Sequence, residues 1–313
     1  MDNPVTTKKD NIPVLFIHFN DSGYLEYTLK SALKFNPNKR IILLGDKSNE
    51  YYKKLGIEHY FFENYDKSAE IELFEKVYKF IAGSSQRKQP WTNFVFKRWF
   101  YMYNFVKQNN IESFWTFDSD TLIFSDLSKY EKQFSEIDCT SQCNGSCMNG
   151  YINNLDVVKN YLDKINELFQ NSEYLKKQQK EVAPNPDWAF TEMRAFATFE
   201  KENKPNVFRL NKIESNETFD ECICQKDGME TEEKFGRTIK KLYFENGKIY
   251  TKEKTSGKLI KLNTLNMSWV PTLFIAKVYY YGVSGKQTKL CTTLAFYFKK
   301  MIRVIKRKVY SLQ

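Results

Sequence analysis

Nowhere in its 313 residues does the chain hold an uninterrupted apolar run near the ~18 residues that a membrane-crossing helix needs, so no spanning segment is expected. Residues 1–11 are polar and contain no apolar core of the signal-peptide type. The expectation is therefore a chain that is not exported and keeps its six cysteines reduced, as small apolar fillers or incidental thiols. Histidine is nearly absent, with only His18 and His59. Cys139, Cys143 and Cys147 have a C-x3-C-x3-C spacing with no histidine nearby, which is not a usual zinc pattern. Internal repeats and low-complexity tracts are also lacking. Aspartate and glutamate are missing from 286–313, which carries Lys286, Lys289, Lys299, Lys300, Arg303, Lys306, Arg307 and Lys308. Those eight account for most of the net charge of +10, so the body is close to neutral. With the basic surface confined to the tail and no recognisable binding module elsewhere, nucleic acid is not an expected partner.

What is present is apolar and aromatic. A hydrophobic fraction of 42% with 16% aromatic residues describes a folded chain with a sizeable core. Residues 14–19 (VLFIHF) form a continuous apolar run that ends in Asn20-Asp21-Ser22-Gly23, and 24–35 follow with helical spacing. A second run at 40–44 (RIILL) ends at Gly45-Asp46, 49–55 suit a short helix, and 57–62 give a third, weaker strand. Strand, helix, strand, helix, strand calls for a mostly parallel sheet that receives ligands at the carboxyl ends of its strands. His18, inside the first run, is expected to be a core residue.

Residues 67–81 and 92–108 read as helices, the second strongly apolar apart from Arg98, for which a snorkelling or ion-paired role stands beside one near an anionic ligand. Residues 134–140 are expected to return as a strand, 143–154 (CNGSCMNGYINN) to be an Asn/Gly-rich loop, and 155–169 to be a helix. Asn185-Pro186-Asp187 is expected to start a helix running through 188–199, with Asp187 either capping it or serving catalysis. From 207 to 262 the pattern shortens to small strands, with a hairpin turn at Asn246-Gly247.

The chemistry is expected at 113–124 (SFWTFDSDTLIF), where an apolar strand ends in Asp118-Ser119-Asp120. Two carboxylates there are costly to bury unless paired, hydrogen-bonded or metal-bound. On a regular strand residues i and i+2 point the same way, so Asp118 and Asp120 can converge on one Mg²⁺ or Mn²⁺, ions that prefer oxygen and keep positions open for phosphates. An Asx-rich turn that merely ends the strand is the ordinary alternative.

Taken with IILLGD (41–46), FKRWF (96–100), FDSD (117–120) and VLFIHFNDSGYLEYTL (14–29), and more loosely MNGYINNL (148–155), PDW (186–188) and FDECI (219–223), the chain resembles a GT-A family of nucleotide-sugar-dependent glycosyltransferases found among bacterial polysaccharide enzymes. The resemblance implies a Rossmann-like α/β nucleotide-diphospho-sugar transferase fold with a small β-rich C-terminal insertion. It would be a single domain over 1–285, with a nucleotide-binding half at 12–125, an acceptor-side half at 126–285, and a basic amphipathic tail at 286–313. It also implies transfer of a sugar from a nucleotide-diphosphate donor to a glycan or glycoconjugate hydroxyl, with Mn²⁺ or Mg²⁺ as cofactor.

Residue by residue, Asp118 and Asp120 would ligate the metal, with Ser119 between them at the diphosphate. Phe19, Asn20, Asp21, Gly45 and Asp46 would lie near base and ribose, Arg98 near the donor, and Asn149 and Gly150 beneath the sugar. Asp187, with Glu192 second, would be the general base of an inverting reaction. In such enzymes a late histidine completes the metal site, and this chain has Asn266 there, whose carbonyl oxygen is a weaker ligand. The expected location is cytoplasmic, peripheral on an anionic membrane through 286–313. Two other readings remain at this point. One is a haloacid-dehalogenase-like phosphatase with Asp118 as nucleophile in DSDT, and the other a catalytically degenerate GT-A protein.

Overall fold

The computed structural model describes residues 10–84 and 89–284, so the tail at 286–313 lies outside the described residues. In chain order the elements are β1 (Asp10–Ile17), α1 (Leu25–Phe35), β2 (Lys39–Gly45), β3 (Glu58–Phe61), α2 (Ala69–Val77), α3 (Gln89–Gln108), β4 (Phe114–Thr116) and β5 (Thr121–Ile123). They continue with α4 (Ser128–Glu131), β6 (Cys139–Gln142), β7 (Cys147–Ile152), α5 (Leu155–Gln170), α6 (Ser172–Val182), α7 (Glu192–Asn203), β8 (Val207–Arg209) and β9 (Glu217–Phe219). The last are β10 (Thr231–Lys234), β11 (Arg237–Lys240), β12 (Tyr243–Glu245), β13 (Lys248–Lys252), β14 (Leu259–Asn266) and α8 (Thr272–Ser284). These elements form two compact units. The first holds 10–20, 38–117 without 85–88, and 128–210, and the second holds 21–37, 118–127 and 211–284.

The first unit is built on a seven-stranded sheet in the order β3-β2-β1-β4-β7-β6-β8. Its non-alternating runs sit at the centre because a strand covered on both faces has no polar side to show water. Val14, Leu15 and Phe16 of β1 and Ile42, Leu43 and Leu44 of β2 are fully buried. β1 pairs in parallel with β2 and with β4, and β2 in parallel with β3. β7 runs antiparallel to both β4 and β6, while β6 and β8 are parallel. The unit is thus mixed α/β with a mostly parallel sheet flanked by helices. Phe96, Phe100 and Phe105 of α3, Phe74 of α2, Phe169 of α5 and Phe196 of α7 join one core with Leu15, Ile42 and Phe114. Each such side chain contributes roughly 1.5–3 kcal/mol on burial. Lys39, nearly fully buried, is neutralised by Glu131, whose Oε1 also accepts from Trp115 Nε1 at 2.9 Å.

Two expectations are corrected here, and one helix is added. Residues 147–152 are strand β7 and not a loop, because Cys147, Met148, Tyr151 and Ile152 are all buried and the segment pairs with β4 on one side and β6 on the other, Gly150 taking a positive φ of 96° within it. The helix expected from Asp187 starts at Glu192. Residues 188–190 instead run extended beside 81–83, with Gly83 N–H donating to Trp188 O at 2.9 Å and Phe190 N–H to Ile81 O at 2.9 Å. Helix α6, whose polar sequence hides its short apolar face, was not expected at all. It is capped by Asn171, which accepts from the N–H groups of Glu173 and Tyr174.

The second unit carries a five-stranded sheet, β12-β13-β14-β5 with β9 on β14, and a separate β10–β11 hairpin. β12 and β13 turn at Asn246 (φ 50°) and Gly247 (φ 73°), the two left-handed residues that an Asn-Gly hairpin needs. Its core gathers Tyr27 of α1, Leu122 of β5, Leu262 and Leu265 of β14, and Ile275, Ala276 and Val278 of α8.

Candidate metal-binding site

The acidic pair lies in the second unit. Asp118-Ser119-Asp120 is not the tip of a regular strand but a turn before β5, closed by the Thr121 N–H donating to Asp118 O at 2.9 Å. The same-face argument for i and i+2 therefore does not apply, and the turn sets how the two carboxylates approach. β5 then pairs antiparallel with β14, and the register sets Asn266 opposite Thr121.

That register decides what surrounds Asp120. Its backbone carbonyl accepts from Met267 N–H at 3.0 Å. One carboxylate oxygen accepts from Asn266 Nδ2 at 3.0 Å, and the other from Ser268 Oγ at 2.9 Å. Burial pushes the Asp120 carboxyl up to about 6, and the neighbouring Asp118 charge adds to this, against the opposing hydrogen bonds from Ser268 and Asn266. Tyr24, on the segment leading into α1, is held above its ordinary value first by burial and then by Asp120, while hydrogen bonds with Ser22 and Ser119 oppose the rise. Thr28 Oγ1 donates to Ser119 O at 2.7 Å and ties the turn to α1.

A buried carboxyl with a second carboxylate beside it fits a divalent cation, which relieves the repulsion and takes further ligands from water or phosphate. Asn266 fits less well as an oxygen ligand. Its Oδ1 accepts from Ser268 N–H at 3.0 Å, which fixes the amide orientation, and its Nδ2 therefore points at Asp120 Oδ1 and Thr121 Oγ1. It aims the carboxylate and offers no oxygen on that side. Among the described residues no group of three or more His, Cys, Asp or Glu side chains gathers to hold a metal.

Asp21, also expected at the nucleotide, belongs to this second unit and is buried. The other expected residues lie in the first unit. At the carboxyl ends of β1 and β2, Asn20 N–H donates to Asp46 Oδ2 at 2.5 Å from a left-handed backbone (φ 67°). Asp46 Oδ1 accepts from Ser48 N–H at 2.7 Å. Asn49 links the two strands, donating to His18 O at 3.1 Å and Asn20 O at 2.9 Å while its Oδ1 lies 2.8 Å from His59 Nε2. Gly45 is required there, since a Cβ would come within 2.0 Å of Asn49 Oδ1. Phe19 is 51% exposed, its ring 5.6 Å from that of Phe94 and 6.2 Å from that of Phe62. Sequence reasoning found Asn20, Gly45 and Asp46 together, but missed Asn49 and His59.

Arg98 donates to Glu192 Oε1 at 3.1 Å, and both are largely buried. The ion pair expected for Arg98 therefore involves the second candidate base. Asn149 and Gly150 are interior to β7. Asn149 is buried and donates to Gln142 Oε1 at 3.0 Å, and the chain at Gly150 (φ 96°) leaves no room for a Cβ, which would sit 2.1 Å from Leu210 Cδ1. Asp187 is exposed, its N–H donating to Asn185 Oδ1 at 3.1 Å.

The fold is thus that of an α/β protein with a mostly parallel sheet, compatible with a Rossmann-like arrangement. The chain matches no protein-family model and no curated protein sequence.

Proposed function

We propose that this chain is a divalent-metal-dependent glycosyltransferase of the GT-A type, moving a sugar from a nucleotide-diphosphate donor to a hydroxyl of a glycan or glycoconjugate. The observation that carries the reading is the Asp118/Asp120 turn, whose second carboxyl is buried and aimed by Asn266 and Ser268. A purely structural turn gains nothing from a carboxyl held at a cost to its own ionisation. A Mg²⁺ or Mn²⁺ ion held by Asp118 and Asp120 would offset charge on the departing diphosphate. The chain's residues would divide the remaining work. Ser268 and Asn266 orient Asp120, and Asp46 with Asn20 shapes the loop assigned to the nucleoside. Asp187 is assigned as proton acceptor in preference to Glu192, whose carboxylate is buried and paired with Arg98.

Among the described residues no helix is long and apolar enough to cross a membrane. We assign the chain to the cytoplasm, held on an anionic membrane surface through its basic tail. The amide nitrogen that Asn266 turns toward Asp120 favours one second reading, a GT-A protein that has lost its metal and its activity. The test is incubation of purified protein with a panel of sugar nucleotides and Mn²⁺, followed by nucleoside diphosphate release. Wild type should release it, and Asp118→Ala and Asp120→Ala should lower the rate at least 100-fold, as on the order expected for removing a charge-stabilising group. Equal rates from all three would remove the metal-site assignment, and hydrolysis of p-nitrophenyl phosphate without any sugar nucleotide would favour the phosphatase.

A further inference from the structure

Trp269 follows directly on the residues that clamp Asp120, and its placement is unusual in two independent ways. Its backbone is left-handed, with φ 63°, a conformation that bulky side chains rarely adopt. Its side chain is also the most exposed large hydrophobic among the described residues, at 71%. A strained aromatic that buries almost nothing does not serve the core. The backbone is held there from both sides. Ser268 N–H donates to Asn266 Oδ1, and Ser268 O accepts from Cys224 Sγ at 3.6 Å. On the following side Pro271 opens α8, its carbonyl accepting from Phe274 N–H at 2.8 Å. The Arg237 guanidinium lies over the ring, its Cζ 5.8 Å from the centroid.

We propose that Trp269 is a stacking platform for a pyranose ring of the acceptor saccharide, with Arg237 donating to that ring's hydroxyls. This deepens the glycosyltransferase reading and rests on it. The flat, electron-rich face of an indole suits the C–H-bearing face of a pyranose, and an adjacent guanidinium supplies directional donors for its hydroxyls. Ser268 and Trp269 are consecutive, so their Cα atoms are about 3.8 Å apart, which keeps the platform close to the carboxyl that Ser268 holds. An acceptor is favoured over the donor sugar because a donor held at the metal has to be shielded from water, whereas this ring faces bulk solvent.

The test is calorimetric titration of the full chain in EDTA, without nucleotide, using hexasaccharides of glucose, N-acetylglucosamine, galactose and glucuronate. At least one should bind the wild type, Trp269→Ala and Trp269→Gly should weaken it about tenfold or more, and Trp269→Phe less than threefold. Trp269→Gly should also raise the melting temperature, since glycine adopts this backbone freely, so lost binding in that variant does not reflect unfolding. Trp91→Ala, which removes another exposed indole, should bind like wild type. No binding of any hexasaccharide by wild type, or equal affinity in Trp269→Ala, would overturn the platform. So would Trp269-dependent binding of phosphatidylglycerol vesicles or of a nucleoside diphosphate in place of the sugars. Failure of the transferase reading looks different, with sugar binding that depends on Trp269 but no nucleoside diphosphate release by wild type with any donor.

Discussion

Asp120 shows how one residue's surroundings set a measurable property of the protein. Its carboxyl titrates at about 6 in the folded chain against an ordinary 3.8, so the folded state holds a proton that the unfolded state has already released. By linkage, the metal-free protein loses stability as pH rises from about 4 to about 6 and then levels off, by roughly 3 kcal/mol for a shift of this size. Asp120→Asn should abolish that slope and raise stability above pH 6, as measured by urea denaturation in EDTA across pH. Mg²⁺ or Mn²⁺ should stabilise wild type above pH 6 and leave the variant unchanged. A variant that keeps the wild-type slope would place the titration elsewhere.

Two elements in different units show where the packing is least forgiving. In β7, Gly150 combines φ 96° with a Cβ direction blocked by Leu210 Cδ1 at 2.1 Å and Thr140 Oγ1 at 2.4 Å. Gly150→Ala is expected to cost about 2–4 kcal/mol through strain and overpacking together, read as a lower urea midpoint with unchanged slope. In β11, Lys240 is almost fully buried and pairs with Asp220 and, at 2.5 Å, with Asp227. Burial raises the Asp220 carboxyl while the Lys240 charge opposes the rise. Lys240→Met leaves two carboxylates without their cation and should cost about 3–5 kcal/mol, and the loss should shrink as pH falls and Asp220 takes up a proton. A neutral result at pH 7 would mean that the cavity of about 190 Å³ beside these groups admits enough water to solvate them.

For the molecule as a whole the decisive quantity is where its charge lies. The net +10 is concentrated in the eight basic residues of 286–313, and the rest of the chain is nearly balanced. Each basic residue near an anionic lipid surface contributes on the order of 1 kcal/mol. Truncation after Gly285 should therefore abolish co-sedimentation with phosphatidylserine liposomes at physiological salt, while full-length protein pellets and is released at high salt. Unchanged pelleting of the truncated chain would move the membrane contact to the body.

Much of this architecture could be read from the chain order of residue types, because burial leaves a local mark. The runs at 14–17 and 41–44 have no polar alternation, so they had to be central strands, and the spacing of Leu155, Val158, Leu162 and Ile165 could only be a helix with one apolar face. Gly45, Asp46 and Asn20 were legible as a group for the same reason, since each ends a parallel strand. β7 was misread because Asn149 and Gly150 are turn formers by propensity, and their strand geometry is imposed by β4 and β6 on either side. Of the partners of Asp120, Asn266 was placed at this site only through the family resemblance, and Ser268 was not placed there at all. Asn266 and Ser268 stand 146 and 148 residues away in the chain, and they reach the carboxyl only because β14 pairs with β5 in one particular register. A strand's own residues say that it will be buried, whereas its neighbour and its register are settled by how the completed sheet packs, and there the chemistry of this acidic turn is set.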